Sequence, residues 1–280
     1  MTIDIIIWLQ SFMNDFWDFF FNFISFLGEE YVYIVILGIY YYAVDKKVGI
    51  FLAFTLFLTG VINTVLKGII NAPRPFEKYP NEVINLRPET AGGSSFPSGH
   101  TQNFTTFTFS MVFYYKKKLI FMAISRMYLG VHFLEDVTFS ILIGIPIAYI
   151  LYQLFEKAYN NKGLMHKVYL GSVVVGIIFA FFIQTESYYK ALGLLIGFIL
   201  AIHFEEKFVR FKIPKSYLKK GIRVITGLIL MIAIRFGLSA LFDLLTDNDF
   251  VLIVLDGVRY FTIAFVGLGL YPMAFKKFKF

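Results

Sequence analysis

The sequence predicts an all-α fold, a polytopic bundle of about ten membrane-spanning helices, and three observations predict it. Of the 280 residues, 58% are hydrophobic, where a soluble domain carries about 45–50%. Apolar stretches near the length a helix needs to cross a bilayer, about 20 residues, recur along the whole chain. The 35 Phe and 18 Tyr suit a protein whose helix ends lie at membrane–water interfaces.

The first stretch, 3–27, is apolar and aromatic but holds Asp4, Asp15 and Asp18. It reads either as a span or as a helix lying in the interface. Further spans are expected at 31–44, 48–70, 99–115, 118–134 and 137–155, then at 168–184, 189–204, 222–243 and 250–273. Counting 3–27, that is six before a polar, turn-like boundary at about 156–167 and four after it. Two parts follow, a core over 1–157 and a helical extension over 158–280. The N-terminus lacks a basic region and a small-residue cleavage site, so the first apolar stretch is expected to stay. No cysteine is present, which removes disulfides and thiolate metal sites.

The charge of +7 invites a nucleic-acid reading, but its placement argues for topology. With the N-terminus inside, one side receives Lys46-Lys47, Lys116-Lys117-Lys118, Lys157, Lys162, Lys167, the basic run from Lys207 to Arg223 and the tail Lys276, Lys277, Lys279. That is the expected excess on cytoplasmic loops. Both termini are then cytoplasmic, and no nucleic-acid partner is expected.

Three polar islands interrupt the apolar sequence. Lys67 is followed after six residues by Arg74-Pro75; Pro97-Ser98-Gly99-His100 comes next; then Ser125-Arg126, five residues, His132, three residues and Asp136. The topology places all three on the outer side. Lys and Arg neutralise a phosphate dianion. His132 and Asp136 stand one helical turn apart, so the carboxylate can hold one imidazole nitrogen and leave the other to attack phosphorus. His100 can protonate the departing oxygen and then activate water. Ser98 and Gly99 open a helix, where backbone N–H groups meet phosphate oxygens. Gly130 offers a break between Arg126 and His132, which are otherwise on different faces. Taken singly, each island has an ordinary structural reading, Pro-Ser-Gly for instance as a turn into a helix cap.

Together the islands resemble the three signature motifs of the type 2 phosphatidic acid phosphatase superfamily, over about residues 30–157 and without departure. The resemblance implies His132 as nucleophile, His100 as general acid and base, Asp136 as the partner of His132, and Lys67, Arg74, Ser98, Gly99 and Arg126 as phosphate ligands. It implies metal-independent hydrolysis with no cofactor. The overall layout looks like the sphingosine-1-phosphate phosphatase branch.

The expectation is an integral membrane phosphatase acting on a lipid phosphate monoester from the extracytoplasmic side of a bacterial plasma membrane. Its partners would be the bilayer and a phospholipid or isoprenoid-phosphate substrate. Competing expectations are undecaprenyl diphosphate phosphatase, a sugar-phosphate phosphatase and, outside enzymes, a lipid transporter or flippase. The C-terminal half carries no diagnostic motif. Arg235 and Asp256 fall at similar expected depth and are read as an intramembrane ion pair, whereas His166 and His203 receive no chemistry.

Overall fold

The computed structural model describes residues 2–115, 122–278 and 280. The expected basic runs therefore fall partly outside the described residues, at Lys116-Lys117-Lys118 and Lys279. Among those described, all regular structure is helical. In chain order the α-helices are α1 Thr2–Gln10, α2 Asp15–Phe26, α3 Glu30–Ile39, α4 Lys46–Ile70, α5 Pro75–Lys78, α6 Gly99–Tyr115 and α7 Met122–Tyr128. They continue as α8 Leu134–Tyr159, α9 Lys162–Ala180, α10 Glu186–Phe204, α11 Tyr217–Leu245, α12 Asp249–Ala264 and α13 Met273–Lys277. Wider π turns extend α3, α10 and α12.

The ends of these helices follow from local chemistry. Asn14, Asn161 and Asn248 each accept a hydrogen bond from the backbone N–H three residues on, at 3.0–3.1 Å, capping α2, α9 and α12. Asn71, in the left-handed region at φ 47°, stops α4.

Among the described residues, five stretches are long and apolar enough to cross a membrane, Lys46–Lys78, Leu134–Tyr159, Lys162–Ala180, Tyr217–Leu245 and Asp249–Lys277. A sixth arises if Asp15–Phe26 and Glu30–Val44, bent by 50°, form one broken span. The expected spans 99–115 and 189–204 form α6 and α10, which are not among these stretches, and two further expected spans take another form. The segment 3–27 is neither a single span nor a single helix: it breaks at residues 11–14 into α1 and α2, of 9 and 12 residues, each shorter than a span needs. Of 118–134, the described part is the seven-residue α7 followed by a loop.

The chain divides into two compact units. One comprises 1–33 and 62–154 and contains all three islands; the other comprises 34–61 and 155–280.

In the first unit, α1 and α2 pack against the segments that carry the islands. Ile6 joins Val83 and Phe133, and Leu9, Met13 and Phe21 pack on Tyr128, Leu129 and Val131. Gln10 clamps two loops, accepting from the Ile84 N–H at 3.1 Å and donating to the carbonyls of Ile84 at 2.8 Å and Tyr128 at 3.3 Å. Gly130 makes this turn possible. Its φ is +70°, and a Cβ there would lie 2.4 Å from the Ile84 carbonyl oxygen. Gly130→Ala is therefore expected to lower stability by at least about 2 kcal/mol, read as a drop in thermal midpoint in detergent. An unchanged midpoint would refute the role of this turn.

In the second unit, α10 and α12 cross with almost no gap. A Cβ at Gly193 or Gly197 would stand 2.1 Å from the Gly257 carbonyl oxygen or 2.4 Å from that of Phe261. Small residues let helix backbones approach in this way where both are apolar. Tyr41 and Tyr42 donate to the carbonyls of Leu268 and Gly267 at 2.9 and 2.6 Å, which satisfies backbone freed by the π turn. Asp256 pairs with Arg259 on its own helix and with Lys190 at 3.6 Å, a charge cluster not anticipated in pairing Asp256 with Arg235.

Candidate active site

All eight residues singled out in the islands lie in the first unit. Lys67 occupies the last turn of α4, and its ammonium donates to the Ser94 carbonyl. Arg74, 2% exposed, spends its guanidinium on three backbone carbonyls: Gly93 at 3.0 Å, Gly92 at 2.6 Å and Val131 at 3.0 Å. It thus ties the glycine-rich 91–95 segment to the loop that bears His132. Arg126, fully buried, donates to the Ser25 hydroxyl on α2.

Ser98 precedes α6 and is fully buried. Its hydroxyl bonds the Thr101 hydroxyl at 3.0 Å, its N–H donates to the Asp136 carbonyl at 3.4 Å, and its carbonyl accepts from Ser140 at 3.1 Å. These bonds hold the start of α6 against the start of α8. Gly99 lies so close to Asn63 that a Cβ would come within 3.2 Å of its Oδ1. In the next position, the buried His100 Nε2 has no hydrogen-bond partner among the described residues. An orphaned buried nitrogen of this kind is expected to meet a ligand.

His132 is not on a helix. It lies in the loop between α7 and α8, whereas Asp136 is in the first turn of α8. The pair expected one turn apart nevertheless meets, with His132 Nδ1 3.4 Å from Asp136 Oδ2. Asp136 Oδ2 is fixed by the Phe133 N–H at 2.9 Å and by the Ser95 hydroxyl, which itself lies 3.5 Å from His132 Nδ1. The carboxylate thus faces Nδ1. Burial first, then Arg126, Arg74 and Lys67, pushes the His132 imidazole well below its ordinary pKa. A neutral imidazole is the form that can attack. The charges of Arg126, Arg74 and Lys67 also act on His100, so the folded chain concentrates the cations of the three islands on both histidines.

Three participants escaped the sequence reading. Ser95 holds Asp136, Ser25 holds Arg126, and Arg87 adds a fourth cation acting on His100 while pairing with Glu29. Ser95 lies two residues from the second island and could have been found there. Ser25 and Arg87 carry no local signal. No group of three or more His, Asp or Glu side chains is assembled as a metal cage among the described residues.

The chain is also similar to known proteins. The PAP2 superfamily profile matches residues 48–160, the span that carries all three islands. Residues 48–160 form a PAP2 superfamily domain. That superfamily is the one whose signature motifs the islands resemble. A second profile, PAP2 superfamily phosphatase, transmembrane extension, matches residues 189–280. The chain is 32% identical over 112 residues, 40% of its own length, to a probable sphingosine-1-phosphate phosphatase of Dictyostelium discoideum, and spans 27% of that protein. It also matches the crystal structure of Aquifex aeolicus LpxE at 27% identity and a TM-score of 0.48, covering 54% of this chain and 94% of that one. The PAP2 domain over 48–160, the transmembrane-extension match over 189–280 and the apolar helices together point to an integral membrane protein.

Proposed function

We propose that this protein hydrolyses a lipid phosphate monoester through a phosphohistidine on His132, without a metal, from the extracytoplasmic side of the membrane. One observation carries the reading. His132 presents Nδ1 to Asp136 at 3.4 Å, while the buried Nε2 of the second histidine, His100, has no partner among the described residues. That division suits one histidine for attack and the other for proton transfer.

In the first step His132 Nε2 bonds to phosphorus as the ester P–O bond breaks, and protonated His100 gives its proton to the leaving alkoxide. In the second step neutral His100 takes a proton from water as the water oxygen bonds to phosphorus. The P–N bond breaks, releasing phosphate and restoring both histidines. Lys67, Arg74 and Arg126 offset the charge on the equatorial oxygens. The Gly99 and His100 N–H groups at the start of α6 supply donors. Asp136 keeps the Nδ1 proton in place and stabilises the cationic phosphoimidazole.

A lipid is favoured over a soluble ester because an acyl or isoprenoid tail can enter between helices, and because the Dictyostelium relative is named for a lipid phosphate. The test is phosphate release by the purified full-length chain from a panel of lipid monophosphates, lipid diphosphates and sugar phosphates, with EDTA present. Lipid monophosphates should be preferred. Undecaprenyl diphosphate as best substrate, a preference for sugar phosphates, or activity abolished by EDTA would each overturn that part of the reading.

Sidedness rests on the clustering of Lys and Arg. Glu82 is exposed in the loop between the first two islands, and Glu82→Cys supplies the sole thiol of a cysteine-free chain. In intact cells an impermeant maleimide should label it. Labelling only after permeabilisation would put the site on the cytoplasmic side.

His100 is tested by leaving-group acidity. His100→Ala should slow phosphohistidine formation about 10²–10⁴-fold with an alkyl phosphate and much less with p-nitrophenyl phosphate, whose leaving group needs no proton. Equal losses would remove His100 from that step.

A further inference from the structure

The second unit holds a cavity of about 450 Å³, and none of its lining residues belongs to the three islands. Its buried lining is apolar, with Ile50, Ile202 and Phe211 each at most 6% exposed. Apart from Met165, the rest of the lining is polar, and much of it basic: Lys46 at the start of α4, Lys162 and His166 on α9, His203 on α10, and Arg210 and Lys212 in the segment that follows. The carboxylate opposing them is Glu206. Glu205, its neighbour, is already committed to Lys46 and to the Phe211 N–H at 2.8 Å. The exposed Lys162, Arg210 and Lys212 thus line one cavity with a single carboxylate in its lining. Like charges held together in this way repel, and a bound anion relieves them.

The arrangement is held in place. Arg210 sits in the left-handed region at φ +51°, a conformation that costs a non-glycine residue about 1–2 kcal/mol. Its Nε donates to the Glu206 carbonyl at 2.9 Å, and its N–H to the Glu205 carbonyl at 2.8 Å. His166 gives its Nδ1 proton to the Lys162 carbonyl and meets His203 Nδ1 through Nε2 at 3.1 Å, with the rings edge to face. The volume is of the size that takes a small molecule or a headgroup.

We propose that this cavity binds the phosphate group of an anionic ligand, as a second site separate in its residues from the hydrolytic one. Two sources carry that chemistry, the headgroup of an anionic phospholipid and a soluble phosphate compound. Basic pockets at the ends of membrane helices take lipid headgroups on this principle.

The experiment uses the purified full-length chain and two probes. Equilibrium binding of radiolabelled inorganic phosphate in detergent should saturate at two per chain in the unaltered protein. It should saturate at one per chain in the double variant Arg210→Gln, Lys212→Gln, which should keep its rate of hydrolysis. Removing the opposing carboxylate with Glu206→Gln should tighten the second site several-fold. If the double variant folds poorly, Glu206→Gln alone still decides the matter. One phosphate per chain in the unaltered protein, a stoichiometry unmoved by the double variant, or an unchanged second affinity in Glu206→Gln would overturn the proposal. The source is read from nanodiscs of mixed phosphatidylcholine and phosphatidylglycerol by native mass spectrometry. Phosphatidylglycerol retained by the unaltered chain and lost from the double variant identifies a headgroup. Two bound phosphates without lipid retention identify a soluble ligand.

Discussion

His132→Ala is expected to reduce turnover by about a thousandfold or more, as loss of a nucleophile does elsewhere. At about 1.36 kcal/mol per factor of ten, that is about 4 kcal/mol of lost transition-state stabilisation. The residue is 2% exposed, and its loop is held by Arg74 through the Val131 carbonyl and by the turn at Gly130. Removing the imidazole leaves both anchors in place, so the fold should survive. The measurement is a single-turnover assay with a labelled lipid phosphate, quenched in alkali to preserve phosphohistidine. The variant should give no burst and no labelled protein. Retention of about a tenth of the activity, or a phosphoenzyme in the variant, would put the nucleophile elsewhere.

Asp136→Asn should cost nearly as much, about 10³–10⁴-fold in kcat, by analogy with amide substitution in other histidine–carboxylate pairs. The amide oxygen can still accept from the Phe133 N–H and the Ser95 hydroxyl, the two bonds that fix the carboxylate now. Local structure should therefore persist. That oxygen still faces His132 Nδ1, but as a neutral acceptor it no longer stabilises the positive charge that develops on the imidazole as Nε2 attacks. KM should stay close to that of the unaltered enzyme while kcat falls. Ser95→Ala removes one restraint on Asp136 and should give a much smaller loss, about tenfold, of the same kind. An Asp136→Asn enzyme within tenfold of normal kcat would show that the carboxylate charge does not support the attack.

The legibility of the site varies with chain distance. His132 and Asp136 are four residues apart, so their contact could be anticipated even though the helix that should have carried both starts only at Leu134. The break expected at Gly130 occurs there, because that position needs a positive φ and no Cβ. Ser98 was expected at a helix start and is there, but its N–H is directed to the Asp136 carbonyl, 38 residues on in sequence. Ser25 on Arg126 is 101 residues away, and Gln10 on Ile84 is 74 away. Such pairs depend on which loops the first unit stacks together, and no local pattern encodes that. The segment 3–27 was ambiguous for a related reason. Its aromatic residues suit lipid or a protein surface equally, and only the packing of Ile6, Leu9 and Phe21 decides for α1 and α2.

By itself the sequence determined the helical class, the membrane environment and the PAP2 motifs, and it singled out the residues proposed to handle phosphate. Each of these is written in composition or in spacings of a few residues, where backbone geometry alone sets what can meet. Tertiary structure decided the rest: that Arg74 braces two loops, that Ser95 shares Asp136 with His132, that His100 Nε2 is buried with no partner among the described residues, and that Lys162, Arg210 and Lys212 line one cavity. Those facts depend on the closure of long loops, whose entropic cost rises only slowly with length. Many pairings therefore compete on nearly equal terms, and the choice among them is made by packing and by the need of each buried polar group for a partner.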